Sequence, residues 1–454
     1  MKRLSLPILI CITLVFTSCH DDFDIPDQDL HLPEATKSIT GQAVLKALAY
    51  SGGWVTLKET LQPQYLITQP KREISWMDNS FNEIGNYKPT EEWSLIDAVV
   101  HPSGQTSAVA LGIVIGKGDY ELHIKMLRFT PGGAVTEQEI FQLPNSEDQL
   151  PVFPGSLDRV KLVAYGEDVY VVARWKYNEV QAHRLSFEDG EFKTKWQEWV
   201  EPPSFVGTIG IIGGGFDNFH QGDRYFFVYA DADKHGNLYV AVPSHEESVY
   251  NHDAFFNENL MAETNPADYD YGVAIVTRLS PAGQRIYSKL HGKSRHKRLL
   301  NMRVSDEGLF FTGRIKVSQE SGGWDAWVFA ADLNGNVMYD NKIDVRAGDM
   351  FWDVNPLPGG KILAAGTTDY YQNPGGLSVS DERRAAAFVV DAQGKVVKEI
   401  ILPQGPAGRG SEAMFVKLTG SHTVVFAGAH NAPGTHASVY SDGFIAVRDF
   451  SLEP

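Results

Sequence analysis

An all-β fold, a β-propeller of four-stranded antiparallel blades, is what this 454-residue sequence predicts. Three observations point there. A strand-and-turn phrase recurs at blade-sized spacing, the strands group in fours, and no long amphipathic helical stretch occurs beyond about residue 93.

The phrase first reads Asp325-Ala-Trp-Val-Phe-Ala-Ala-Asp332-Leu-Asn-Gly335. It returns as Arg384-Ala-Ala-Ala-Phe-Val-Val-Asp391-Ala-Gln-Gly394 and, without the glycine, as Asp442-Gly-Phe-Ile-Ala-Val-Arg-Asp449. An apolar strand of constant length runs into an Asp, and a glycine turn follows in the first two copies. Each such unit must bury its apolar face on a neighbour, which is the logic of a repeat architecture.

Within residues 299–343 the order is strand 299–304, a tight turn at Asp306-Glu307-Gly308, strand 309–315, a longer loop, strand 325–331, the Asp332–Gly335 turn, and strand 337–343. Residues 350–402 repeat it. Val, Ile, Phe and Tyr dominate these runs and Gly, Asp, Asn and Pro separate them, as in half-buried sheet. Counting back gives blades near 94–143, 158–200, 207–290, 299–343, 350–402 and 411–450. The count is six, with seven the alternative if residues 41–90 hold more than a closing strand. The last blade shows three strands, so an N-terminal strand must complete it and remove the open edge. That strand is expected within Gly53–Leu57 or Tyr65–Thr68. One short helix is expected near Thr40–Ala49, where Val44, Leu45 and Leu48 fall on helical spacing.

The first eighteen residues read as a signal peptide. Lys2 and Arg3 precede a thirteen-residue apolar run from Leu4 to Phe16, too short for the ~20 residues a bilayer span needs. Phe16-Thr-Ser-Cys19 resembles the lipobox of bacterial lipoproteins, which implies lipid on Cys19 and anchoring through an N-terminal lipid. His20 after that cysteine implies the outer membrane. Residues 19–39 are expected to be an acidic flexible tether and 40–454 a single propeller domain. The only other cysteine, Cys11, lies in the leader, so no thiol would remain for a disulfide, a metal or a nucleophile. The net charge of −17 argues against nucleic acid as a partner.

The stretch Ala232-Asp-Lys-His-Gly236-Asn-Leu-Tyr-Val-Ala, followed by Tyr271-Gly-Val-Ala-Ile-Val-Thr-Arg-Leu-Ser-Pro-Ala-Gly283, resembles the SBBP-type repeat of bacterial β-propellers. The resemblance covers residues 230–450 and implies a fold and an extracytoplasmic location. It implies no shared activity and no catalytic residues.

In a meandering blade, the connections between strands 1–2 and 3–4 lie on one face of the disc. Those between strands 2–3, and between blades, lie on the other. Here the first set is short and the second long, so binding is expected on the second face. The candidate loop, 244–271, carries Tyr250, His252, Phe255, Phe256, Asp268, Tyr269, Asp270 and Tyr271. Aromatic rings beside carboxylates suit a glycan or a protein partner in the envelope; a flap whose rings bury one another would read the same way. A basic run with Lys293, Arg295, Lys297 and Arg298 is expected on the same face, as an anion contact or a solvated loop.

Catalytic motifs are scarce. Asp231–Asn237 has the rhythm of a calcium loop, but Val242 stands where the bidentate Glu belongs, so a hairpin turn is expected. Gly207–Gly215 lacks the Lys-Ser/Thr of a phosphate loop. The histidines show no metal spacing, and there is no Gly-x-Ser-x-Gly elbow. No cofactor and no metal site are expected. Asp97, Asp306 and Asp353 lie at or beside inner strands. The expectation is therefore a binding propeller, with two alternatives: a hydrolase or lyase with a central-channel site, and a structural component of an envelope assembly.

Overall fold

The computed structural model describes residues 35–60, 71–115, 120–131, 133–142, 160–176, 179–200, 228–243, 274–291, 297–316, 324–345, 348–368, 383–402, 410–419, 423–431 and 440–449. They form seven four-stranded antiparallel sheets, so the propeller has seven blades and not six. Blade 1 is β2–β5 (Gln42–Tyr50, Gly53–Thr60, Arg72–Met77, Glu83–Tyr87) and blade 2 is β6–β9 (Trp93–Val100, Thr106–Ile115, Tyr120–Phe129, Val135–Gln142). Blade 3 is β10–β13 (Val160–Tyr165, Asp168–Lys176, Glu179–Glu188, Glu191–Val200). Blade 4 is β14–β17 (Tyr229–Ala232, Leu238–Pro243, Ala274–Leu279, Arg285–His291). Blade 5 is β18–β21 (Lys297–Ser305, Gly308–Lys316, Trp324–Ala331, Val337–Ile343) and blade 6 is β22–β25 (Met350–Leu357, Lys361–Thr368, Arg384–Val390, Val396–Ile401). Blade 7 joins β26–β28 (Ser411–Thr419, Thr423–Asn431, Tyr440–Asp449) to β1 (Ala35–Thr40) from the other end of the chain.

The extra blade lies where the helix was expected. Residues 42–50 are the inner strand β2. Its pairing with β3 slips by one residue between Val44 and Lys46. A bulge adds one residue to a period-two pattern. That turns alternation into the i, i+1, i+4 spacing of Val44, Leu45 and Leu48, which imitates a helix. The same slip occurs in the inner strands of blades 2, 5, 6 and 7. It presses a carbonyl onto the second strand, where glycine makes room. A Cβ on Gly366 would lie 1.8 Å from the Met350 oxygen, and one on Gly428 would lie 1.9 Å from that of Glu412.

The closing strand is also placed differently. It is Ala35–Thr40, so five residues of the expected tether are paired sheet, running antiparallel to β28 from Ala35↔Val447 to Thr40↔Asp442. Gly53–Leu57 belongs to β3 of the added blade. Tyr65–Thr68 lies outside the described residues.

The core sits between blades. Seven apolar clusters each span one pair of neighbours, and one of them joins Val44, Ala47 and Trp54 of blade 1 to Phe415, Val425 and Ile445 of blade 7. Each buried Val, Leu, Ile or Phe side chain contributes roughly 1.5–3 kcal/mol, so closing the ring adds a complete seventh interface. First strands of successive blades touch one another in order, β2 on β6, β6 on β10, and on round to β26 on β2. They line the axis.

Candidate functional site

Strand order fixes which groups share a face. Connections between first and second strands, and between third and fourth, run from two to five residues. The strand ends on the other face are those joined by the stretches 143–159, 201–228, 244–273, 369–383 and 402–410. The one-sided distribution of length expected from the sequence is therefore the observed one.

The short-turn face is bonded to itself. Asp332 Oδ1 accepts the N–H groups of Asn334 and Asn336 at 2.9 and 2.8 Å, and Asp391 treats Gln393 and Lys395 the same way at 2.9 Å each. Asp233 does so for His235 and Asn237, at 3.0 and 2.9 Å, so Asp231–Asn237 forms the expected hairpin turn. Turns of neighbouring blades are tied as well. Glu167 accepts the Ser103 N–H and hydroxyl at 2.9 Å each, Lys234 pairs with Asp306 at 2.6 Å, and Glu307 takes the N–H groups of Gly359 and Gly360. The repeated Asp-Gly turns are thus structural.

Charged side chains interrupt the apolar inner strands and converge on the axis. Lys46 Nζ of blade 1 lies 2.8 Å from Asp97 Oδ1 of blade 2 and donates to the Ala98 carbonyl at 2.8 Å. Asp97 Oδ2 accepts the Leu162 N–H of blade 3 at 3.0 Å. Blade 4 repeats the device: Asp231 Oδ2 accepts the Val304 N–H of blade 5 at 2.8 Å. Asp353 of blade 6 takes Asn301 Nδ2 at 2.5 Å and Arg303 Nη2 at 3.3 Å from blade 5, and the Val416 N–H of blade 7 at 3.0 Å. These carboxylates act as inter-blade latches. One-sided removal of a buried pair such as Lys46–Asp97 costs roughly 3–5 kcal/mol, because the remaining charge is stranded.

Electrostatics separates the carboxylates. Burial works against ionisation of Asp97, but Lys46, Lys161 and the Leu162 N–H outweigh it and hold its pKa below the usual range. At Asp231 burial wins over Arg303 and the two backbone donors, and the pKa is raised. Burial lowers the pKa of Lys46, against the pull of Asp97.

One arrangement imitates a hydrolase pair. His101 Nε2 lies 2.8 Å from Ser107 Oγ, and its Nδ1 lies 3.0 Å from the Gly166 carbonyl. Both side chains are buried, and Arg128 Nη1 donates to the same hydroxyl at 3.0 Å. A neutral imidazole donating from Nδ1 satisfies every partner. With no access for a substrate, the pair is a stitch between blades 2 and 3.

Of the residues singled out from sequence, Cys19, Tyr250, His252, Phe255, Phe256, Asp268, Tyr269, Asp270, Tyr271, Lys293 and Arg295 lie outside the described residues, as does Gly207–Gly215. Lys297 and Arg298 open strand β18 rather than sitting in a loop. Lys297 Nζ is committed to Asp340, at 2.6 and 2.7 Å, and lies 5.5 Å from the Trp327 ring centroid. Asp97 and Asp353 do reach the axis. Sequence reasoning missed Lys46, Lys161, Arg303 and Lys417, each a charge inside an apolar inner strand and so a readable signal, and it missed the neutral Asn301, which gives none.

No family model matches the chain, and no curated protein does. Solved structures resemble it distantly. The β-propeller domain of the Trilobed protease from Pyrococcus furiosus is 10% identical, with a TM-score of 0.44, covering 91% of this chain and 96% of that one. Pyrococcus horikoshii acylaminoacyl peptidase is 8% identical with a TM-score of 0.44, covering 90% of this chain and 52% of that one. A protein of unknown function from Bacteroides caccae is 10% identical with a TM-score of 0.35, covering 80% of this chain and 94% of that one. The chain is a seven-bladed β-propeller with distant structural matches.

Proposed function

We propose that this protein is a lipid-anchored, extracytoplasmic propeller that binds a protein or glycan of the cell envelope through its long-loop face. The observation that carries the reading is the one-sided connection length, from two to five residues on one face and up to the stretch 244–273 on the other. Rigid scaffolds place recognition on such loops. On the short-turn face, by contrast, Glu167, Glu307, Lys234 and Asp306 are engaged by neighbouring turns. The pairing of Ala35 with Val447 sets the start of β1 on the short-turn side. A lipid on Cys19 would hang the disc from that side and turn the long loops away from the membrane. The SBBP-type resemblance of residues 230–450 supports an extracytoplasmic site.

Two measurements test this. A chain lacking residues 251–268 should melt like the parent and lose binding to an envelope glycan array or to cross-linked envelope partners; unchanged capture by a folded deletion variant would sink the loop assignment. Cys19→Ala should move the protein from the membrane to the soluble fraction. Retention in the membrane would remove the lipid anchor from the reading.

A further inference from the structure

We propose that β1 is a pairing edge for a second copy of this chain, joining two propellers through an antiparallel ladder of β1 on β1 centred on Ser38. The inference stands apart from the long-loop reading, because it uses the described rim strands alone.

Each blade ends in an outer strand that forms one edge of its sheet at the rim. An edge carries a row of open N–H and C=O groups and invites pairing unless it is bent, charged or covered. Every outer strand but β1 is bent: the pairing of β5, β9, β13, β17, β21 and β25 with the third strand of the same blade slips by one residue in each case. The inserted residues of β5, β17, β21 and β25 are Ile84, Ile286, Met338 and Val397, and all four are exposed. A bulge twists an edge out of pairing geometry. β9, β13, β17, β21 and β25 also carry two or more charges each.

β1 has neither guard. It runs in unbroken register against β28 from Ala35 to Thr40. Its one charge, Lys37, is drawn sideways to Asn82 Oδ1 of blade 1 at 3.2 Å. Thr36, Ser38 and Thr40 are exposed, and no described strand pairs with its far edge.

Self-pairing about a two-fold axis selects the register. An antiparallel ladder alternates bonded and non-bonded pairs, so symmetry requires one residue to face itself. With Lys37 or Ser38 at the centre, the ladder takes in every residue of β1 but one; any other centre loses more. Lys37 would set two ammonium groups opposite each other, which is destabilising. Ser38 sets Thr36 against Thr40 of the second copy and the Lys37 stem against Ile39, with no like charges opposed.

The blade twist decides how the two discs sit. Neighbouring strands rotate by roughly 20–25°. From the inner strand β26 to β1 there are three such steps, roughly 60–75° in all, so β1 lies closer to the plane of the disc than to its axis. The two-fold of an antiparallel pair is normal to the shared sheet and therefore near the disc axis. Both copies then turn their long-loop faces the same way. So short an edge buries little surface, so the pair is weak and forms as concentration rises.

Sedimentation velocity of the full chain over a rising concentration series should show monomer passing into dimer. Ser38 is exposed, so its variants should fold as the parent does, which circular dichroism checks. Ser38→Lys and Ser38→Glu should each weaken dimerisation about tenfold or more, and an equimolar mixture of the two should restore it. Association through the apolar leader would be blind to residue 38. With Cys11 and Cys19 replaced by Ala, a Ser38→Cys chain should form a disulfide-linked dimer under copper-catalysed air oxidation, because residues paired across the ladder bring their Cα atoms to about 4.5–5.5 Å. Ser288→Cys, exposed on the bulged strand β17, should not. A monomer at every concentration, a dimer indifferent to both charge substitutions, or equal cross-linking of the two cysteine variants would each overturn the proposal.

Discussion

Deleting Ala35–Thr40 should cost several kcal/mol of stability and leave a propeller that associates through its open edge. The six residues pair in register with Asp442–Val447, and that sheet has no other fourth strand. Arg448 Nη2 donates to Thr36 Oγ1 at 2.9 Å, and the Gly41 N–H to Asp442 Oδ1 at 3.2 Å. Ile39 packs on the cluster that joins blades 7 and 1, beside the fully buried Ile445 and Val447. Ladder hydrogen bonds contribute roughly 1 kcal/mol each net of water. Their loss exposes a row of unpaired groups on β28, a template for pairing with another chain. Urea melts of a chain starting at Gly41 should show a lower midpoint, and size-exclusion chromatography should show oligomers. A peptide spanning residues 33–41, added in trans, should restore both by strand addition. A parent-like midpoint and a monomer would mean that β1 contributes little to closing the ring.

The same strand shows where sequence reading reaches and where it stops. Blades 4–6 are legible because each Asp-x-x-Gly turn does a local job: its carboxylate caps N–H groups two and four residues on. Local chemistry leaves a local mark. Ala35-Thr-Lys-Ser-Ile-Thr40 carries one large apolar residue and no turn signal, so only its partner more than 400 residues away makes it a strand. Blade 1 was hidden by a bulge, which breaks the alternation that announces a strand. The axial latches fall between these cases. A charge in an apolar strand can be read singly, but the pairing cannot, because the partners are one blade apart: 51 residues for Lys46 and Asp97, 65 for Asp97 and Leu162, 73 for Asp231 and Val304, and 63 for Asp353 and Val416. Those separations are the repeat length expressed as contacts.

Acid should unfold this protein well above the pH at which ordinary carboxylates titrate. Three buried histidines, His101, His183 and His291, have pKa values lowered to about 4 from 6.5, mainly by burial. His101 is held between Ser107 and Gly166, and Arg128 beside it opposes a second positive charge. His183 stacks on Phe141 at 4.4 Å. His291 sits among Phe311 and Phe329, with Lys289 adding to the effect of burial. In the unfolded chain each imidazole takes its proton near pH 6.5; in the folded chain each resists until about 4. Stability is therefore fully present above 6.5 and falls as the pH drops toward 4. By linkage each site contributes a loss of about 2 kcal/mol at pH 5 and about 3 at pH 4. Summed, that reaches the total stability of a typical domain. Asp231 acts in the opposite sense, since its raised pKa favours the folded state as acid is added, but it is one group against three. Carboxylates with lowered pKa, such as Asp97 and Glu73, lose their contribution only below the ordinary carboxylate range. The window between 6.5 and 4 belongs to the histidines. Urea midpoints measured at pH 7 and pH 5 should differ strongly, and His291→Phe, which fits its aromatic surroundings, should remove about a third of the difference. Equal midpoints at the two pH values would show that these imidazoles can be protonated without opening the blades.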